Sequence, residues 1–184
     1  MGIFDQEKSN PKMNIEELKA LAATEDPEAQ FQLGKYYYNG EGVEQDKVEA
    51  VKWIRKAADQ ELSDAQYNMG FFYWHGVGVM QDQAGAINWF RKAAEQGHAQ
   101  AQFFVGLSYD RAWCVEQDLA EAVKWYRKAA EQGHAQAQYR LGISYWSGCN
   151  EMQNEGEAIK WIRKAAEQGD EAAIALLNMR ELLE

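Results

Sequence analysis

The sequence predicts an all-α solenoid built from a ladder of helical hairpins. Three observations point to it. Glycine recurs at Gly34, Gly70, Gly106 and Gly142, tyrosine at Tyr37, Tyr73, Tyr109 and Tyr145, and tryptophan at Trp53, Trp89, Trp125 and Trp161, each series at a spacing of 36 residues. The string Arg-Lys-Ala-Ala returns in the same register at Arg55, Arg91, Arg127 and Arg163, and Ala-Gln at Ala29, Ala65, Ala101 and Ala137. No segment shows the period-two alternation of a strand. One hairpin cannot bury its own apolar face, whereas stacked copies can. The register defines four copies, 29–64, 65–100, 101–136 and 137–172.

Each copy reads as two helices. The first begins near the Ala-Gln pair and ends at Gly40, Gly76 or Gly148, and in it Leu33 and Tyr37 share a face because they lie four residues apart. A glycine inside a helix costs about 1 kcal/mol against alanine. Its return in every copy predicts a helix crossing too close for a side chain. The second helix follows Asp46, Asp82, Asp118 or Asn154, all good N-caps. Glu49, Glu121 and Glu157, three residues on, suggest capping boxes, and Gly85 breaks that pattern. Ala50, Trp53, Ala57 and their repeats form its apolar stripe, with the tryptophans expected in the core. Gln-Gly at 96–97, 132–133 and 168–169 ends it, since glycine takes the left-handed cap at little cost.

The ends differ. Residues 14–28 are expected to form an N-terminal cap helix, because 14–23 align with the second half of a copy. Residues 173–184 are expected to form a C-terminal cap helix that begins near Glu171 and carries Asn178 at the glycine position. The polar stretch 1–13 has no periodicity and reads as a disordered tail.

Composition excludes several classes. The chain has 184 residues, 46% of them apolar, with net charge -10. Such acidity argues against nucleic acid, whose binding rests on phosphate neutralisation. No run approaches the roughly 18 apolar residues of a membrane span. The start shows no basic segment followed by an apolar core, so a cytoplasmic location is expected. Two cysteines, Cys114 and Cys149, cannot staple a scaffold. They lie on neighbouring connectors, where a disulfide is a minority reading. No Cys/His spacing resembles a zinc site, so neither metal nor cofactor is expected. Ser9 to Lys12 matches Ser-x-x-Lys without its partner motifs. No nucleophile–base pair can be assembled, and catalysis is not expected. His98 and His134 occupy equivalent turns and read as turn residues. Residues 1–50 carry 11 acids and 5 bases and residues 167–184 carry 5 acids and one base, so acidic ends keep an open ladder soluble.

Copy one carries Ala29, Gln30, Leu33, Gly34, Tyr37, Gly40, Gly42, Val43, Asp46, Ala50, Trp53, Lys56, Ala57 and Ala58. This pattern resembles the Sel1-like repeat, a relative of the tetratricopeptide repeat, over residues 14 to 184. The resemblance implies a right-handed α/α superhelix that serves as a protein-interaction scaffold or adaptor rather than an enzyme. By analogy with tetratricopeptide arrays, the first helices line the concave side.

Positions identical in all copies are explained by the stack, so the variable ones are informative. The face of the first helix opposite the packed one holds Phe31, Tyr67, Phe103 and Tyr139, aromatic in every copy and so partly structural. The positions that vary are Lys35 and Tyr38 in copy one, and Phe71, Trp74 and His75 in copy two. Copy three gives Leu107, Asp110 and Arg111, and copy four Ile143 and Trp146. Phe71, Trp74, Leu107, Ile143 and Trp146 are expected to form an apolar floor that takes a helix or extended peptide, with Asp110 and Arg111 fixing a polar group. Met179 and Leu182 would extend it. The alternative is that these rings only fill the superhelix. A narrower alternative function is an immunity protein that neutralises a toxin or enzyme. Copy three also replaces both connector glycines with Ala112 and Cys114. That predicts a changed loop and makes Trp113 a candidate either for an exposed contact or for packing under the loop. The sequence names no partner and no oligomeric state, with a monomer as the default.

Overall fold

The computed structural model describes residues 14–148 and 153–181, with side chains through residue 179. The expected tail 1–13, Cys149 and Leu182 lie outside the described residues. Among the described residues there are ten helices and no strand: α1 (Ile15–Ala22), α2 (Pro27–Asn39), α3 (Lys47–Asp59), α4 (Ser63–His75), α5 (Gln83–Glu95), α6 (Ala99–Asp110), α7 (Leu119–Glu131), α8 (Ala135–Ser147), α9 (Glu155–Glu167) and α10 (Glu171–Glu181). The chain divides between Gln96 and Gly97 into two compact units. The first holds α1 to α5, with hairpins α2–α3 and α4–α5. The second holds α6 to α10, with hairpins α6–α7 and α8–α9. In each unit the closest packing is within a hairpin, and the next is between a second helix and the first helix that follows it.

The first helices start two residues before the Ala-Gln pairs, because their N-caps are Asp26, Leu62, His98 and His134. Pro27 and Glu28 therefore belong to α2 and not to the N-terminal cap helix, which is α1 alone. The second helices start as expected. Asp46 accepts from the amides of Val48 and Glu49, Asp82 from Gly85, Asp118 from Glu121 and Asn154 from Glu157. The capping box is only half made. The amide of Asp46 donates to Tyr37 O at 2.9 Å, and Glu49 instead holds Lys52 at 2.8 Å. The same Tyr-to-cap bond recurs from Asp82, Asp118 and Asn154. It pins the connector across each hairpin.

The helical glycines mark close crossings. A Cβ on Gly70 would lie 2.6 Å from the Phe90 ring, on Gly106 2.7 Å from Tyr126, and on Gly142 2.6 Å from Ile162. Gly34 meets Ile54 in the same way.

Two periodic networks account for most of the invariant polar residues. Gln30, Gln66, Gln102 and Gln138 are buried, and their side-chain oxygens accept from Gln60, Gln96, Gln132 and Gln168, 30 residues on, at 2.7–2.9 Å. Gln30, Gln66 and Gln138 in turn donate to Ala22 O, Ala58 O and Ala130 O near the end of the preceding helix. A buried amide is thereby satisfied at both ends and also finishes a helix. The repeated arginine works similarly in two of the copies. Arg127 donates to Tyr145 Oη at 2.8 Å, and Arg55 bonds Tyr73 Oη.

The tryptophan stripe is less deep than expected. Only Trp125 is buried, while Trp53, Trp89 and Trp161 are half-buried. A lysine one turn on covers each ring: Lys56, Lys92, Lys128 and Lys164 sit 4.0–4.3 Å from the centroids of Trp53, Trp89, Trp125 and Trp161. The stripe is thus half core and half a cation–π surface. The deepest interior belongs to Leu33, Ile54, Met69, Phe72, Phe90, Val105, Leu141 and Ile162.

The copy-three connector keeps its conformation. Ala112 has φ 56° and Cys114 φ 53°, against 68° and 65° for the matching Gly76 and Gly78. The expected change of loop does not occur. The ladder bond from Asp118 to Tyr109 O (3.1 Å) and the bond from Gln117 to Asp110 O (2.8 Å) hold the turn, and the strained residues conform. Trp113 packs half-buried on the core of the second unit, with the Arg111 guanidinium 5.3 Å from its ring.

Candidate partner-binding face

The predicted face runs along α2 and α4 in the first unit and α6 and α8 in the second. In its N-terminal aromatic row Phe31 and Phe103 are buried, and Tyr67 and Tyr139 are half-buried. Phe31 is buried in the core. The Tyr67 ring sits 5.6 Å from Phe90, and burial pushes its phenol up to about 12. Phe103 is enclosed by Tyr126 and His134 at 5.9 and 4.7 Å. Tyr139 is half-buried against the Ile162 cluster. Phe31 and Phe103 fill the stack, and Tyr67 and Tyr139 keep part of their surface open.

One turn further on, the row is mixed. Leu107 is 7% exposed and belongs to the core of the second unit, so it offers no surface. Lys35 is half-buried with its ammonium 5.6 Å from the Phe31 ring. Phe71 is half-buried and packs 4.3 Å from His75. Ile143 is half-buried.

The last turn is the open one. Tyr38 is half-buried, stacked on Phe72 at 5.7 Å beneath Lys47. Trp74 is half-buried and His75 exposed. Arg111 and Ser147 are exposed, and Trp146 is 36% exposed. Met179 on α10 is 62% exposed and does not cap the core.

Asp110 is committed internally. Its Oδ2 accepts from Tyr126 Oη at 2.9 Å. Burial, and then the Asp110 charge, holds the Tyr126 phenol far above its usual range. The matching positions carry Ile54, Phe90 and Ile162, beside Tyr38, Trp74 and Trp146. Copy three therefore swaps an apolar pair for a tyrosine–aspartate pair across one hairpin. The swap shows as two changes within one copy, 16 residues apart, a signal the position-by-position reading passed over.

No acid–base or nucleophilic constellation is assembled at these positions. Ser108 is fully buried and donates to Val105 O, and Ser144 donates to Arg140 O. Cys114 is exposed with a free thiol. Among the described residues, no group of three or more His, Cys, Asp or Glu side chains is placed to hold a metal ion. Also among them, no helix is long and apolar enough to cross a membrane.

The periodicity, the glycine crossings and the glutamine ladder agree with a family model, the Sel1 repeat, which matches residues 27–62, 63–98, 99–134 and 135–170. The chain belongs to the Sel1 repeat family. The model's boundaries fall two residues before those read from the sequence, at the observed helix starts. A Sel1 repeat protein from Oxalobacter formigenes is 35% identical, with TM-score 0.86 over 96% of this chain and 52% of that one. The protein c5321, a protective antigen of uropathogenic Escherichia coli strains, is 39% identical with TM-score 0.85, over 90% of this chain and 36% of that one. This Sel1 chain thus spans about half the length of the first and about a third of the second. The immunity protein Pa5087 from Pseudomonas aeruginosa is 25% identical with TM-score 0.54, over 86% of this chain and 59% of that one. No curated protein matches. Sel1 repeat proteins are in general non-enzymatic protein-interaction scaffolds.

Proposed function

We propose that this Sel1 repeat protein is a non-enzymatic scaffold that binds a protein helix or extended peptide on the C-terminal turns of its first helices. Tyr38, Phe71, Trp74 and His75 provide the surface in the first unit, and Arg111, Ile143 and Trp146 in the second. The observation that carries the reading is the exposure of His75, Arg111 and Trp146 at the ends of the first helices. Phe31, Phe103 and Leu107 are consumed by packing, whereas the last turn carries Tyr38, Trp74 and Trp146, large rings that differ between copies one, two and four. The stack does not require variable rings at its rim, whereas a binding surface uses them as anchors. Lys35 and Asp110 are engaged within the chain and serve the surface indirectly, and Leu107 and Tyr67 support it from beneath. A reducing, cytoplasmic setting suits the exposed thiol of Cys114.

The test is affinity capture from the source cytosol with wild type and with Trp74→Ala/Trp146→Ala. Loss of specific partners with an unchanged melting temperature supports the reading. A large stability loss with retained partners would return these rings to the stack.

The likeness to immunity protein Pa5087 favours a second, narrower reading, an antagonist that occupies a toxin or enzyme. Here the captured partner would be a protein whose toxicity co-expression of this chain suppresses. Survival no better than with an empty vector would rule this reading out.

A further inference from the structure

His134 sits where two helices of the second unit meet. It is the N-cap of α8, and its Nδ1 accepts from the Ala137 amide at 3.1 Å. Its Nε2 lies 2.7 Å from Gln100 Oε1 on α6. Its ring stacks on Phe103 of α6, with centroids 4.7 Å apart and planes 26° apart. A nitrogen that accepts from an amide carries no proton, so the ring is neutral with its hydrogen on Nε2, donated to Gln100. A second proton has only Nδ1 to occupy. There it would face the Ala137 N–H and the positive end of the α8 dipole. The bond that caps the helix would become a repulsion.

We propose that His134 is a pH-operated clasp between α6 and α8, closed when neutral and released when doubly protonated. The other copies supply the contrast. The equivalent caps Asp26 and Asp170 accept from Ala29 and Ala173 at 2.7 and 2.9 Å through a carboxyl group, which keeps an accepting oxygen whether or not it carries a proton. His98, the α6 cap, accepts from Ala101 at 3.2 Å, and a charge there would oppose one on His134. From α7, Tyr126 lies across Phe103, and Lys128 and Glu131 in the last turn are exposed to water, which screens them. Arg140, further along α8, adds only positive charge. None of these offers His134 a compensating anion.

Burial lowers the His134 value from 6.5 to about 4. The folded value is the lower one, so the unfolded chain takes the extra proton first as pH falls. The clasp's contribution is complete above about 6.5 and is lost between 6.5 and about 4. The inference is independent of what α8 binds.

The test uses the full chain, wild type and His134→Asp, the cap this protein already uses at Asp26 and Asp170. Exchange of the Ala137 amide is followed from pH 7 to pH 4 and corrected for intrinsic rates. In wild type, protection falls by up to about tenfold per pH unit below 6.5, and in His134→Asp it stays nearly level. Equal slopes in the two proteins would overturn the proposal. Titration of the wild-type ring by NMR needs no variant: a midpoint near 4 supports the clasp, and one near 6.5 overturns it.

Discussion

Gly70→Ala sets two magnitudes against each other. In an isolated helix the change is favourable by about 1 kcal/mol. In this fold the added Cβ would lie 2.6, 2.7 and 3.0 Å from three atoms of the Phe90 ring. Carbon atoms rest about 3.5–4.0 Å apart, so the contact is short by roughly 1 Å. Phe90 is fully buried on α5 and cannot swing into water. Either the ring leaves its rotamer or α4 and α5 separate, and overpacking of this kind costs about 1–3 kcal/mol. The overlap offsets or outweighs the helix gain, and the net loss is about 0–2 kcal/mol. For a chain of this size that lowers the melting temperature by about 2–4 °C per kcal/mol. Thermal unfolding followed by far-ultraviolet circular dichroism measures it. Phe90→Leu, destabilising alone, should be less costly in the Gly70→Ala background, because the smaller side chain relieves the overlap. A Gly70→Ala protein that melts higher than wild type would refute the close-crossing argument.

Gln138→Leu leaves Ala130 O and the Gln168 amide without their buried partner, and urea denaturation should show a loss of about 1–3 kcal/mol. Ala112→Gly relieves a left-handed backbone, so its urea midpoint should rise by the equivalent of about 1 kcal/mol. Tyr126→Phe removes the donor to Asp110 and should cost about 1 kcal/mol by the same assay. A Tyr126→Phe protein as stable as wild type would show that the pair is incidental.

Much of the fold was legible because repetition compares the chain with itself. The 36-residue register placed every hairpin, the cap residues Asp46 to Asn154 set the second-helix starts, and the glycine series announced the crossings. The misses have physical causes. Trp53, Trp89 and Trp161 read as core because hydrophobicity ignores a lysine one turn away, whose stem and charge cover the ring face. Gln96, Gln132 and Gln168 read only as helix ends, because their partners lie 30 residues back and no local pattern links them. Ala112 and Cys114 were expected to reshape their loop. Local propensity lost there to bonds that tie the connector to Tyr109 and Asp110. On the proposed face, sequence spacing placed the twelve predicted residues on one side of the first helices but carried no depth. Leu107 and Trp146 read alike, and only packing separates the buried one from the exposed one.

The central claim is that the variable rim of the first helices binds, while the repeated positions only build. Quantitative partner capture and the melting temperature, read side by side for Trp74→Ala/Trp146→Ala and for Gln138→Leu, test it most directly. The rim variant should lose its partner and keep its melting temperature, and the ladder variant should lose stability and still capture when folded. A rim variant that holds its partner with full occupancy would contradict the claim.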